Sequence, residues 1–261
     1  MSRLTIDFYS NALCRPVQFK MIVPNDFDDR WPPEQKRKGK RMKTIFLLHG
    51  YTGGAENFVP ENLMSLYNFA VVMPNGENGF WIDGISTGHK FGTFLTEELV
   101  GYVRKTFGLA MTPDETYVMG FSMGGFGALR ASLANPDVFG KAVALSPALI
   151  IHSIAHMKQD DPGEMANYEY YRECFGDLET VEKSLHNPEV LIEKLVAEGK
   201  KIPDLYIAIG LSDFLLDRNR DFHKWLSDHA IPHKYFESAG GHDPHFWDEW
   251  TKKIVPTLFE D

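Results

Sequence analysis

A serine in this chain has the local sequence that nucleophilic catalysis requires. Ser122 is the centre of a Gly-x-Ser-x-Gly pentapeptide (120–124), which lies between the apolar run 116–119 and the helix-forming segment 123–134. A strand, a tight turn and a helix around such a pentapeptide form a nucleophile elbow, in which the serine hydroxyl projects above the strand ends. A Gly-rich turn with an incidental serine is the alternative, but the flanking strand and helix favour the elbow. Ser122 is therefore the predicted nucleophile.

An acid and a base follow two later strand-like runs, 205–209 and 233–237. Asp213 comes after the first run and His242 after the second, so the chain order is serine, acid, histidine. That is the order of α/β-hydrolases. A serine hydroxyl becomes a strong nucleophile when a neutral imidazole takes its proton, and a carboxylate holds the imidazole in the required tautomer. We predict that Ser122 attacks, His242 is general base and then acid, and Asp213 orients it.

Other residues near these loops are weaker candidates for the same roles. Asp217 is the second choice for the acid, but it lies inside the next helical segment. His245 is expected inside the terminal helix, because Asp243 suits the N-cap and the proline after it suits the first turn. We therefore predict that His245 contacts substrate rather than transferring protons. A metal site built from His242 and His245 with a neighbouring aspartate lacks a recognised spacing, and no metal is predicted.

The loop after the apolar run 44–48 begins His49-Gly50-Tyr51. In serine hydrolases of this chain order, an amide of this loop and the amide after the nucleophile bind the oxyanion. We predict that the Tyr51 and Met123 amides are these donors and that His49 braces the loop.

Composition excludes several classes of function. The 261 residues carry a formal net charge of −9, which argues against nucleic acid as a partner. No apolar stretch is long enough to span a bilayer, and the N-terminus alternates like a strand instead of resembling a signal peptide. Two cysteines are too few for a disulfide framework, so a cytoplasmic location without membrane association is expected. The sequence leaves a homo-oligomer open.

Strand-like and helix-like segments alternate from residue 44 onward, which predicts an α/β fold with a mostly parallel sheet and helices on both faces. Residues 1–261 are expected to form one domain. The N-terminal runs 3–9 and 17–23 predict an antiparallel hairpin at an edge of the sheet. The basic stretch that opens with Arg30 and ends at Lys43 is interpreted as a solvated loop.

One long segment, 147–200, breaks this alternation. It is poor in strands and carries aromatic residues such as Tyr170 and Tyr171. Loops of this length are often functional, so we predict a cap or lid over Ser122 that sets substrate preference. Packing of helices on the surface is the alternative.

Several of these motifs together resemble the esterase D-like family of α/β-hydrolases. The family includes tributyrin esterases, S-formylglutathione hydrolases, and acetylxylan and feruloyl esterases, and the chain is most similar to bacterial tributyrin-esterase-like carboxylesterases. The motifs that carry the resemblance are His49-Gly50, Pro74-Asn75-Gly76 with Trp81 and Asp83, Thr96-Glu97-Glu98-Leu99, Gly120-Phe121-Ser122-Met123-Gly124-Gly125, and Gly241-His242 with Trp247. The resemblance implies hydrolysis of carboxylic esters without metal or organic cofactor, and a position for Trp81 at the border of the active site, where it would bind substrate.

The predicted function is that of a serine carboxylesterase acting on small-molecule esters, either short-chain or sugar-borne, of acetyl or feruloyl type, through an acyl-serine. A thioesterase of the S-formylglutathione hydrolase type would use the same residues and is the nearest alternative. A noncatalytic binding protein on this fold is a third possibility, which the presence of all three catalytic residue types disfavours.

Overall fold

The computed structural model describes residues 1–24, 39–56, 58–163 and 165–260. Most of the predicted basic loop, from Arg30 to Lys38, lies outside these residues. In the described part of the chain, eight strands form one sheet in the order β1-β2-β4-β3-β5-β6-β7-β8. The strands are β1 Ser2–Ser10, β2 Arg15–Val23, β3 Lys43–Leu48, β4 Phe69–Pro74, β5 Thr116–Phe121, β6 Lys141–Leu145, β7 Asp204–Gly210 and β8 Lys234–Ser238.

The first two strands form the predicted antiparallel hairpin, and β2 continues antiparallel onto β4. The remaining strands are parallel. From β3 the chain moves outward to β4 and then returns to β5 on the other side of β3. Ligands of open α/β sheets bind where the strand order reverses, in the crevice at the carboxyl ends of the strands. In this sheet the crevice lies above β3 and β5.

Helices cover both faces of the sheet, as the sequence predicts. They are α1 Glu61–Tyr67, α2 Phe91–Thr93, α3 Val100–Phe107, α4 Met123–Ala134, α5 Ile151–Ile154, α6 Tyr168–Phe175, α7 Pro188–Ala197, α8 Leu216–Asp228 and α9 Pro244–Thr257. Alternate residues of a strand point to opposite faces. Ile45 and Leu47 of β3 accordingly belong to the same buried cluster as residues of α1 and α9, whereas Phe46 and Leu48 belong to the cluster that includes residues of α3, α4 and α8.

The helix predicted at 93–107 is less regular than its sequence pattern indicates. A π-helical segment, Phe94–Leu99, joins α2 to α3. Within it, the Glu98 carboxylate accepts hydrogen bonds from the amides of Asn11 (2.9 Å) and Ala12 (3.0 Å) in the β1–β2 turn. This contact fastens the N-terminal hairpin to the helical layer.

The 147–200 segment contains two parts with different surroundings. Six residues between Ala148 and Tyr171 line the cavity at Ser122. Helix α6 is anchored by Phe175, whose ring lies 5.9 Å from that of Phe126 in α4. The later helix α7 instead packs its buried leucines and isoleucine on α4. Only the first part therefore lies over the nucleophile.

No helix within the described ranges combines the length and the apolar character that crossing a membrane requires.

Candidate active site

Ser122 occupies a strained turn between β5 and α4. Its backbone has φ 55° and ψ −121°, a conformation that non-glycine residues rarely adopt. The surrounding backbone holds it there: the Ser122 N–H donates to the Leu145 carbonyl at 2.9 Å, and the Ser122 carbonyl accepts from the Phe126 and Ala148 amides, each at 3.0 Å. The turn therefore has a fixed orientation relative to β6 and to the start of the 147–200 segment.

The first and last residues of the pentapeptide must be glycine because neighbouring backbone approaches them closely. A Cβ on Gly120 would lie 2.3 Å from the Gly124 carbonyl oxygen, and a Cβ on Gly124 would lie 2.1 Å from the Leu48 carbonyl oxygen. Both distances are shorter than real contacts of a Cβ atom. Glycine at these positions allows the elbow to pack against the end of β3.

Ser122, His242 and Asp213 form one continuous hydrogen-bonded chain. His242 Nε2 lies 2.9 Å from Ser122 Oγ, and His242 Nδ1 lies 2.9 Å from Asp213 Oδ2 and 3.1 Å from Oδ1. Because a carboxylate only accepts, Nδ1 carries the proton and Nε2 is left to accept the serine proton. The side chain of Asp213 is fully buried, while that of His242 is 17% exposed. The acid is thus enclosed, whereas the base is partly exposed.

Neighbouring groups fix the orientation of the acid and the base. Asp213 Oδ1 also accepts from the Leu215 amide at 2.9 Å. The His242 ring packs against Phe214, at 4.6 Å between centroids, and lies edge-on to Trp247 at 5.1 Å. Trp247 in turn donates its indole N–H to Ser146 Oγ at 3.1 Å. These contacts leave His242 little rotational freedom.

The loop after β3 carries Tyr51, one of the two residues predicted to bind the oxyanion through their amides. In the described part of the chain, the amides of Tyr51 and Met123 donate to no protein acceptor. His49 braces the loop from within: Nδ1 donates to the Gly50 carbonyl at 2.8 Å, and Nε2 accepts from the Gly76 amide at 2.9 Å. Burial lowers the pKa of His49, which favours the neutral ring that this bonding requires.

A narrow, mostly apolar cavity opens beside Ser122. The sheet loops and the segment after β6 enclose it together. Its lining consists of Tyr51, Phe80, Ser122, Met123, Ala148, Ile150, Met165, Ala166, Tyr170, Tyr171, Phe214 and Leu215.

Comparison with known proteins places this geometry in a family. A family model described as "Putative esterase" matches residues 10–259. An acetyl esterase of Caldicellulosiruptor saccharolyticus is 37% identical over 98% of this chain and 96% of its own length. Among solved structures, a fluorophosphonate-binding serine hydrolase of Staphylococcus aureus superposes with a TM-score of 0.83 at 26% identity, covering 100% of this chain and 99% of the other. An S-formylglutathione hydrolase of the same organism superposes with a TM-score of 0.80 at 27% identity, covering 99% of this chain and 99% of the other.

The chain belongs to this esterase family. It is a serine esterase, a carboxylic ester hydrolase on the α/β-hydrolase fold, as the sequence predicts.

The structure places the two predicted substrate-binding residues of this esterase away from the cavity. Trp81 is fully buried, and its indole N–H donates to the His49 carbonyl at 3.2 Å, beneath the loop that follows β3 (residues 49–54, here called the oxyanion loop). Its ring fills the space beside Gly76 and Gly127. His245 lies exposed in the first turn of α9, where only its amide is bonded, to the N-cap Asp243. Neither side chain is therefore among the residues that line the cavity. The family resemblance indicated Trp81 and the neighbouring catalytic loop indicated His245, but neither signal determines where a side chain points.

The alternative acid, Asp217, and the alternative metal site are not part of the hydrogen-bonded set of Ser122, His242 and Asp213. Asp217 is exposed in the first turn of α8, whereas Asp213 is the carboxylate on His242. The described residues contain no group of three or more histidine, cysteine or acidic side chains able to hold a metal ion. Both ring nitrogens of His242 face Asp213 and Ser122 instead.

Sequence reasoning overlooked three residues that support the site. Phe214 packs on the base, Ser146 holds Trp247, and Asn78 accepts the Thr52 amide at 2.8 Å in the oxyanion loop. Ser146 and Phe214 do follow strand ends, so the rule that located Asp213 could have indicated them. Asn78 stands in a Gly- and Asn-rich turn, whose residues are also those that any surface turn uses.

Proposed function

We propose that this esterase hydrolyses small acyl esters through an acyl group carried on Ser122. The observation that carries the proposal is the unbroken chain from Asp213 through His242 to Ser122 Oγ, with distances of 2.9 Å at both links. This arrangement supplies a nucleophile, a base and an orienting acid within one hydrogen-bonded unit.

In the proposed reaction His242 Nε2 takes the Ser122 proton while Oγ attacks the ester carbonyl. The oxyanion of the tetrahedral intermediate accepts hydrogen bonds from the Tyr51 and Met123 amides. His242 then gives its proton to the alcohol oxygen, which leaves, and the acyl group stays on Ser122. A water molecule, deprotonated by His242, repeats the attack and releases the acid, and Ser122 recovers its proton.

The substrate we propose is a short-chain acyl ester, with acetyl as the favoured acyl group. The cavity beside Ser122 is small and apolar, which suits a short acyl chain better than a long one. The acetyl esterase relative, 37% identical over almost the full length, supports the same choice. The alcohol portion, a simple alcohol or a sugar, would lie toward the outer edge of the cavity, near the exposed Met165 and Phe214.

A thioesterase of the S-formylglutathione hydrolase type is the second candidate, supported by the S. aureus structure at 27% identity. A substrate panel separates the two. We expect kcat/KM for nitrophenyl acetate and acetylated xylose to exceed that for nitrophenyl butyrate, tributyrin and methyl ferulate, and also that for S-formylglutathione. A preference for the thioester would overturn the first choice. A folded protein that hydrolyses nothing in the panel and does not react with a fluorophosphonate would be a noncatalytic binding protein instead.

We also propose that the enzyme works in the cytoplasm on dissolved esters, without nucleic acid or membrane partners. Both cysteines are free thiols, Cys14 exposed and Cys174 buried, as a reducing compartment favours. The negative net charge of −9 supports the absence of nucleic-acid binding. Size-exclusion chromatography with light scattering would test whether a homo-oligomer forms.

A further inference from the structure

Asn78 contacts two parts of the site that are far apart in sequence. Its side-chain Oδ1 accepts a hydrogen bond from the Thr52 amide, at 2.8 Å, in the loop after β3. Its backbone carbonyl accepts from the Tyr170 hydroxyl in α6, and the Cys174 thiol approaches the same oxygen at 3.7 Å. Asn78 therefore joins the oxyanion loop to the helix that flanks the cavity.

The conformation of the oxyanion loop depends on its side-chain partners. Thr52 has φ 63°, in the left-handed region that costs a non-glycine residue free energy. The peptide before Tyr51 is fixed through the Gly50 carbonyl, which accepts from His49 Nδ1 (2.8 Å) and from the Gly53 amide (3.0 Å). The peptide after Tyr51 is fixed through the Thr52 amide, whose acceptor is Asn78. The direction of the Tyr51 amide is set by both restraints together.

Tyr170 connects the other side of Asn78 to the substrate cavity. Burial raises the pKa of its hydroxyl, so the group stays protonated and donates to the Asn78 carbonyl. Its ring lines the cavity and meets the Tyr51 ring edge to face, with 5.8 Å between centroids. A displacement of α6 would thus move Asn78 through the hydrogen bond from Tyr170 and Tyr51 through the contact between the two tyrosine rings.

We propose that Asn78 is a positioning residue: it holds the Thr52 amide so that the Tyr51 amide stays at the oxyanion position, and the Tyr170 hydroxyl holds Asn78. The inference rests on the proposed function, because it takes Tyr51 as an oxyanion donor. Asn78 does not touch the reacting atoms, so its effect appears in the transition state, where the oxyanion forms, and not in binding of the ground-state ester.

The test uses the full-length variants Asn78→Ala, Tyr170→Phe and the double variant, with nitrophenyl acetate as substrate. Rates are expressed per mole of serine that a fluorophosphonate titrates at completion, which removes any contribution from unfolded protein. Asn187→Ala is the matched control, because Asn187 likewise accepts a backbone amide, that of Glu189 at 3.1 Å, but in the N-cap of α7. It should lower the melting temperature and leave kcat unchanged.

We expect Asn78→Ala to lower kcat by roughly 10- to 100-fold with KM nearly unchanged, somewhat less than the loss of a whole oxyanion donor. Tyr170→Phe should lower kcat by about two- to fivefold, and the double variant should be no slower than Asn78→Ala, since both act through one residue. A normalised kcat of Asn78→Ala within about twofold of wild type, or fully additive effects, would overturn the proposal. Failure of the proposed function would look different: the wild type would neither hydrolyse the ester nor titrate with fluorophosphonate.

Discussion

The loops at the strand ends and the segment that covers them are held in place by different kinds of contact. Ser122, Asp213 and His242 follow the parallel strands β5, β7 and β8 of one sheet, and backbone hydrogen bonds such as Ser122 N–H to Leu145 O fix the turns that carry them. Between Ala148 and Tyr171, the covering segment adds side-chain anchors to backbone bonds such as Ala148 N–H to Ser122 O. These anchors join Tyr170 to Asn78, and His152 to Glu182 and Glu189. From this difference we infer that the chemistry depends on the loops at the strand ends, and we propose that the covering segment sets selectivity.

The largest expected effect tests the loops at the strand ends. His242→Ala should lower kcat by about 10⁵–10⁶, as removal of a triad histidine does, because Ser122 then has no base. His245→Ala is the matched control three residues further on, and it should stay within about twofold of wild type because its side chain is exposed and outside the cavity. Steady-state hydrolysis of nitrophenyl acetate measures both. The assignment would be wrong if His245→Ala were the inactive variant.

The next effect concerns the acid. Asp213→Asn should lower kcat by about 10³–10⁴, because the amide favours the tautomer with the Nε2 proton, which cannot accept from Ser122. Asp217→Asn makes the same chemical change at an exposed position of α8, and its kcat should remain near that of the wild type. Comparable losses in the two variants would show that Asp213 has no special relation to His242.

The two regions also differ in how far sequence determines them. Apolar runs such as 44–48 and 205–209 form their strands within a residue or two, and parallel strands bring the loops that follow them to one edge. That rule, together with the Gly-x-Ser-x-Gly pentapeptide and the order serine, acid, histidine, is what led to Ser122, Asp213 and His242. Sequence does not reveal the direction of side chains that depends on the tertiary path of the chain. Trp81, for example, lies buried under His49, and Asn78 binds a loop to which no local sequence pattern connects it.

The same reasoning explains the partial success with the 147–200 segment. Its interruption of the strand–helix alternation indicated an insertion, and its first part does line the cavity. Its second part packs through α7 on α4, since Leu191, Ile192 and Leu195 lie on one buried face. Helical periodicity reveals that a face is apolar but not which surface it covers.

A variant that enlarges the cavity tests the role of the covering segment in selectivity. Met165→Ala removes a side chain that is 55% exposed but lines the cavity, so stability should change little. The ratio of kcat/KM for nitrophenyl butyrate to that for the acetate should rise by roughly 3- to 10-fold, the effect of one or two methylenes in a pocket. Leu185→Ala, at a similarly exposed leucine in the second part of the segment, should leave the ratio unchanged. Equal ratios in the two variants would remove the selectivity role from the first part.

The smallest effect concerns the anchor of α5. Hydrogen bonds to Glu189 and Glu182 raise the pKa of His152 to about 9, above its usual value near 6.5. The charged pairing therefore stabilises the fold fully below pH 6.5 and is lost as the pH rises through about 9. The difference in melting temperature between wild type and His152→Ala should be largest near pH 6 and should fall toward zero by about pH 10. A difference independent of pH would mean that His152 contributes packing alone.

Transfer of the acyl group through Ser122 Oγ can be observed by peptide mass spectrometry of the enzyme acid-quenched during turnover of nitrophenyl acetate. We expect one acetylated peptide, the one containing Ser122, which disappears after a chase without substrate and is absent in Ser122→Ala. In Asp213→Asn the same peptide should become acetylated more slowly. Acetylation at another residue that turns over at the catalytic rate, or full ester hydrolysis by Ser122→Ala, would contradict the account.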